Sequence, residues 1–206
     1  MPGKYKLTYF DGRGLAEPIR YLLMFSGEDF EDNRLSMEEW PKYKSSTPFG
    51  KLPTLEIDGN VFTQSGAIYR YLGKKGNLAG NNDLENLHID IIADVMVDLR
   101  TVHIQAFWEG DEETKKEKKE MFIKETLPFY MQKLEEVAKN NNGYLANKKL
   151  SWADIMFASL AENISLTLPS VENFIEEYST LKALKEKILS DSKIKPYVEK
   201  RKIMSF

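Results

Sequence analysis

Between Gly76 and Asp83 the chain reads GNLAGNND, and the hydrophobic rhythm differs on its two sides. Before it come short β-like runs at Lys4–Phe10, Phe30–Leu35, Leu52–Ile57 and Asn60–Thr63. The last two flank Asp58-Gly59, a hairpin signal because glycine accepts a positive φ without steric cost. Leu15, Ile19, Leu22, Leu23 and Phe25 carry helical spacing after the first run, with Pro18 tolerable only in the first turn. Ala67, Ile68, Tyr71 and Leu72 carry it again after the hairpin, on a helix expected over Gly66–Gly73. The order β-α-β followed by β-β-α combines a parallel crossover with an antiparallel hairpin. Beyond the break the pattern is helical almost throughout. Leu84, Leu87, Ile91, Val95, Leu99 and Val102 make one stripe, and Ile123, Leu127, Tyr130, Leu134 and Val137 a second. Ile155, Met156, Leu160 and Ile164 make a third. A small α/β domain joined to an all-α domain follows.

Composition narrows the function. A net charge of −3 offers no general attraction for nucleic acid. No window of apolar residues is long enough to span a bilayer, and MPGKYKLTYF lacks the apolar core of a signal peptide, so a soluble cytoplasmic protein is expected. The chain has no cysteine. Disulfides, thiolate metal sites and a cysteine nucleophile are thereby removed, and any thiol chemistry must use sulfur carried by a ligand.

Several apparent signals have plain readings. Asp111–Glu120 is charge-rich but of interleaved sign and without aromatics, which describes a solvated helix face. His88 and His103 are the only histidines and have no neighbouring ligands, so no metal site is expected. Ser151-Trp152-Ala153-Asp154 fits a capping box, with Leu150 and Ile155 at the positions of a hydrophobic staple. Gly12 and Gly14 imitate a dinucleotide-binding loop, but Glu17 stands where the third glycine belongs. Asp90, Asp94 and Asp98 form one acidic stripe at helical spacing, for which a solvated face suffices. Tyr9 has two readings from its position: a core aromatic sharing a strand face with Leu7, or a hydroxyl presented at the strand end beside a turn.

TYFDGRGLAEPIRYLL, FGKLPTLEIDG, TQSGAIYRYLG and LSWADIMFA, in this order and spacing, resemble the cytosolic glutathione transferases. Within them the pattern is most similar to the sigma class, which includes the glutathione-dependent prostaglandin D synthases. The resemblance runs from Lys4 to the last helix. It implies a fold of the α/β plus all-α class: a thioredoxin-like glutathione-binding domain over residues 1–78, a linker over 79–83, and an all-helical domain over 84–206 contributing the electrophile site. It also implies a homodimer using glutathione as co-substrate, with no metal, nucleic acid or membrane partner.

The resemblance makes Tyr9 the catalytic residue, its hydroxyl stabilising the glutathione thiolate. Gln64 and Ser65, at the start of a helix, would hold the γ-glutamyl carboxylate. Trp40, Lys44 and Lys51 match positions that meet the glycyl carboxylate. Leu52-Pro53 matches a cis-proline that leaves the Leu52 backbone free to pair with the cysteinyl segment. Asp98 would reach the γ-glutamyl ammonium bound by the partner subunit. Phe10, Gly14, Leu15, Met96, Arg100, His103, Ile104 and Phe206 would form the electrophile site. Gln105 stands where vertebrate prostaglandin D synthases have a tryptophan. The function expected is conjugation of glutathione to small hydrophobic electrophiles. The alternatives are a glutathione-dependent prostaglandin-H2 D-isomerase and a non-catalytic scaffold of the same fold.

Overall fold

The run before the first glycines forms β1 (Tyr5–Phe10), the central strand of a four-stranded sheet. The protein is described by a computed structural model covering residues 5–201. Strand order is β2-β1-β3-β4, with β2 at Phe30–Leu35, β3 at Thr54–Ile57 and β4 at Asn60–Phe62. β2 lies parallel to β1, with Tyr9 opposite Arg34, whereas β3 is antiparallel to it, with Leu7 opposite Leu55. The parallel pair requires a crossover, which α1 (Glu17–Phe25) supplies with Pro18 in its first turn. The β3–β4 hairpin turns at Asp58 and Gly59, with φ of +49° and +82°, the paired positive angles that suit tight hairpins. Next come α2 (Trp40–Lys44), between β2 and β3, and α3 (Ser65–Lys75), after the hairpin. The expected α/β elements are therefore present in the expected order. Tyr5, Leu7, Leu55, Ile19, Leu22, Leu23 and Leu72 form the buried interior of this unit.

The remaining helices are α4 (Asp83–Phe107), α5 (Glu112–Met121), α6 (Leu127–Asn140), α7 (Trp152–Thr167), α8 (Ser179–Leu189) and α9 (Lys195–Lys200). A π-helical stretch, Phe122–Thr126, joins α5 to α6. α7 is buried along nearly its whole length, as expected of a helix apolar on every side. It begins with the predicted capping box: Asp154 accepts from the Ser151 backbone N–H at 2.7 Å and from its hydroxyl at 2.7 Å. α5 buries no residue, in keeping with a solvated charge run. Glu135 on α6 caps α8 from the side, accepting from the Thr180 and Leu181 N–H groups at 3.1 and 3.0 Å.

The chain divides into a unit ending at Ala79 but rejoined from Ser190 onward, and a second unit, Gly80–Leu189. α9 thus belongs with the sheet, through buried polar contacts set out below. One finding differs from the sequence reading, on α4. Leu84, Leu87 and Ile91 are about half exposed or more, while Ile89, Ile92, Ala93, Met96, Leu99, His103 and Ala106 face inward. The helix carries two apolar faces, and a single periodic stripe picks out only part of each.

Candidate active site

Tyr9 lies near the end of β1, nine-tenths buried, with its hydroxyl directed to the turn that follows. The oxygen accepts a hydrogen bond from the Leu15 N–H at 3.3 Å. That bond uses a lone pair and leaves the O–H proton to donate elsewhere. The turn is closed by the Gly12 N–H donating to the Phe10 carbonyl at 2.7 Å, and Tyr69 on α3 donates to the Leu15 carbonyl at 2.7 Å. Gly14 adopts φ of +39°, and a Cβ there would lie 2.5 Å from the Tyr9 hydroxyl oxygen. Both observations demand glycine. Neither reading of Tyr9 from position alone was complete, because the ring is packed while its hydroxyl meets a turn.

Gln64 has φ of +68° and ψ of +97°, an unusual conformation for a residue with a Cβ. Such strain persists where the surroundings fix it, commonly at ligand sites, and costs on the order of 1–3 kcal/mol. Its side chain makes no capping bond, so the first N–H groups of α3, starting at Ser65, have no cap from that side chain. Oriented N–H groups at a helix start form a site suited to a carboxylate.

Phe10 meets Trp40 edge to face with ring centres 5.6 Å apart. The Lys44 stem crosses Gly50, its Cε 3.4 Å from where a Cβ would sit, and Gly50 has φ of +61°. Lys44 is therefore held beside the segment carrying Lys51, and both lysines are exposed. The Leu52–Pro53 bond is cis. Pairing between β1 and β3 starts at Thr54 opposite Thr8, so Leu52 stands outside the ladder. Tyr9, Trp40, Lys44, Lys51, Leu52, Pro53, Gln64 and Ser65 all belong to the sheet-containing unit. Tyr69 and Gly50 are absent from the expected set; Tyr69 lies within the TQSGAIYRYLG segment, and Gly50 within FGKLPTLEIDG.

The expected electrophile site is less uniform. Phe10, Gly14 and Leu15 are half-buried around the Tyr9 turn, and Arg100 and Ile104 are half-buried on α4. Met96 and His103 are instead fully buried. Both fall on the inward face of α4. His103 Nε2 lies 2.7 Å from the Thr167 hydroxyl oxygen, and its ring packs on Phe122 with centres 5.4 Å apart. The Thr167 hydroxyl donates to the Asn163 carbonyl at 2.8 Å, so it accepts from Nε2–H, and Nδ1 has no partner among the described residues. Burial, with Arg100 one turn away, pulls this imidazole down to about 4. Asp98 is exposed on α4. Phe206 lies outside the described residues. Among those residues, no helix is long and apolar enough to cross a membrane.

Two family profiles match the chain: the glutathione S-transferase N-terminal domain over residues 5–74 and the glutathione S-transferase C-terminal domain over residues 97–201. The chain is 41% identical to glutathione S-transferase 2 of Manduca sexta, covering 95% of this chain and 96% of that protein. It is 33% identical to the human hematopoietic prostaglandin D synthase, covering 96% of each. Among solved structures, prostaglandin synthase D of Nilaparvata lugens superposes with a TM-score of 0.92 at 48% identity, covering 97% of this chain and 98% of the other.

Proposed function

The chain belongs to the glutathione S-transferase family, and on that footing we propose that it ionises glutathione at Tyr9 and adds the thiolate to small hydrophobic electrophiles. One observation carries the catalytic assignment: the Tyr9 hydroxyl is seated over the bare α-carbon of Gly14, accepting from Leu15 N–H and keeping its own proton. A thiol of pKa about 8.5 is only a few per cent ionised at neutral pH. Lowering that value by about 1.5 units requires roughly 2 kcal/mol, within the reach of one hydrogen bond to a charged acceptor. A neutral phenol donating to sulfur supplies such a bond without becoming the nucleophile.

The other contacts follow the peptide. The α3 start at Gln64-Ser65 takes the γ-glutamyl carboxylate, the Leu52 backbone pairs with the cysteinyl segment, and Trp40, Lys44 and Lys51 meet the glycyl carboxylate. For the electrophile, Phe10, Gly14 and Leu15 are the candidates in the sheet-containing unit, and Arg100 and Ile104 the candidates on α4. A cytoplasmic homodimer of the sigma class is the reading supported by the similarity to prostaglandin D synthases. Half-exposed Leu84, Leu87 and Ile91 on α4, and Val61, Phe62 and Tyr71 around β4 and α3, are apolar surface that a second copy would cover. Asp98 would then complete the partner's site. The same similarity favours a second reading, isomerisation of a prostaglandin endoperoxide by the thiolate.

Turnover of a chlorinated nitroaromatic with glutathione, by the wild type and Tyr9→Phe, tests this. Tyr9→Phe should lose about a hundredfold in kcat/KM, the scale of one donor aimed at developing charge, while still binding immobilised glutathione. Equal rates in the two proteins would overturn the role of Tyr9. A wild type that neither turns over nor is retained would point to a scaffold. Incubation with a prostaglandin endoperoxide separates the two enzyme readings.

A further inference from the structure

The polar core of the sheet-containing unit is unusual in what it connects. Glu17, fully buried at the start of α1, accepts from Arg20 Nη1 at 2.8 Å, from Arg201 Nη1 at 2.7 Å and from the Tyr197 hydroxyl at 3.1 Å. Arg20 is also fully buried, and its Nε reaches both Asp32 carboxylate oxygens at 3.1 Å. The same guanidinium donates through Nη1 to the Gly12 carbonyl at 2.9 Å. Gly12 opens the turn that ends at Gly14 under the Tyr9 hydroxyl. A continuous line of hydrogen bonds thus runs from α9 and the residue after it, through Glu17 and Arg20, to the turn beside the catalytic phenol. Burial and the Glu17 charge push the Tyr197 phenol up to about 12, so it remains a donor across the neutral range.

We propose that Arg201 is a positioning residue: by completing the charge balance on Glu17 it fixes Arg20 against the Gly12 carbonyl, and so sets the Gly12–Gly14 turn at the height from which Tyr9 reaches glutathione sulfur. This rests on the glutathione-ionising role proposed above. The geometry requires a cation at this point. Without Arg201, the buried Glu17 carboxylate shares Arg20 with Asp32, and the guanidinium is drawn toward the carboxylates and away from a neutral carbonyl. The turn then loses the Arg20 hydrogen bond on its Gly12 carbonyl. The Arg201–Glu17 pair is almost wholly buried, unlike the solvated Lys195–Glu199 pair on α9, so solvent does not replace it.

The test is the thiolate absorbance of enzyme-bound glutathione as a function of pH, with steady-state kinetics, for wild type, Arg201→Gln, Arg201→Lys and Tyr197→Phe. Arg201→Gln should raise the apparent pKa of the bound thiol by about half a unit, cutting the thiolate fraction about threefold below that pKa. Its kcat/KM should fall in parallel, with little change in KM for glutathione. Arg201→Lys, which restores the charge, should recover most of the shift. If Arg201→Gln does not fold, Tyr197→Phe removes a hydroxyl that donates to Glu17 and accepts from Arg34, and should shift the pKa in the same direction. A wild type that ionises glutathione, with foldable variants sharing its thiol pKa and losing only thermal stability, overturns the positioning role alone. A wild type that does not ionise glutathione overturns the functional reading and this proposal with it.

Discussion

The two units of this protein solve different problems. In the sheet-containing unit, the residues assigned to glutathione depend on backbone conformation: positive φ at Gly14, Gly50 and Gln64, a cis bond before Pro53, and N–H groups at the start of α3. In the helical unit, what matters is side-chain volume and polarity around a helix, α7, buried along almost its full length. The first arrangement presents backbone groups for the proposed chemistry. The second supplies stability, and its buried polar residues, such as Ser151, Asp154 and His103, serve caps and core bonds. Function and stability should therefore separate when residues of each unit are changed.

The largest expected effect lies in the helical unit and belongs to His103. Its folded value of about 4 lies below the ordinary imidazole value, so the unfolded chain binds more protons between about pH 4 and 6.5. Stability is thus fully present above about pH 6.5 and is lost as pH falls toward 4, by about 3 kcal/mol. Protonation would place a charged N–H at Nδ1, which has no acceptor among the described residues. Denaturant melts at pH 7.5 and 4.5 should show this loss in the wild type and a much reduced one in His103→Leu. Turnover at pH 7 should stay within about threefold, the range of a core repacking that leaves chemistry alone. A larger drop in turnover would return His103 to the electrophile site and break the division between the units.

Gly14→Ala should do the reverse. A Cβ 2.5 Å from the Tyr9 hydroxyl oxygen cannot coexist with the present ring position, and the strained φ adds its own cost. A loss of about 2 kcal/mol in transition-state stabilisation, roughly thirtyfold in kcat/KM, is expected, visible also as a raised pKa of bound glutathione. Wild-type turnover in this variant would show that the hydroxyl need not sit where it does. The smallest effect is Ser151→Ala, which removes the capping hydroxyl and should cost about 1 kcal/mol of unfolding free energy. Its kcat/KM should be unchanged; a change in the bound-thiol pKa would mean that the α7 cap is coupled to the chemistry.

How much could be read beforehand follows the same division. The α/β order, the Asp58-Gly59 hairpin and the Ser151–Asp154 box were legible because each depends on a few adjacent residues. The roles proposed for Tyr9, Gln64 and Ser65 rest on the resemblance, since one strand-end tyrosine or one helix-capping serine has an ordinary structural explanation. The core positions of Met96 and His103 were not legible, because α4 has two apolar faces and the spacing does not say which one the core takes. The place of α9 was hidden for another reason. Glu17 and Arg201 are separated by 184 positions, and no local pattern marks one as the other's counter-ion.

The chain contains no cysteine, and the proposed donor at its reaction centre is a phenol. An enzyme whose own thiol attacks electrophiles risks irreversible alkylation or over-oxidation of that thiol. Here the vulnerable sulfur belongs to a small molecule that leaves with each product. A misfired reaction spoils one tripeptide and leaves the protein intact, so inactivation by its own substrates has to begin somewhere other than at a cysteine thiol of the chain.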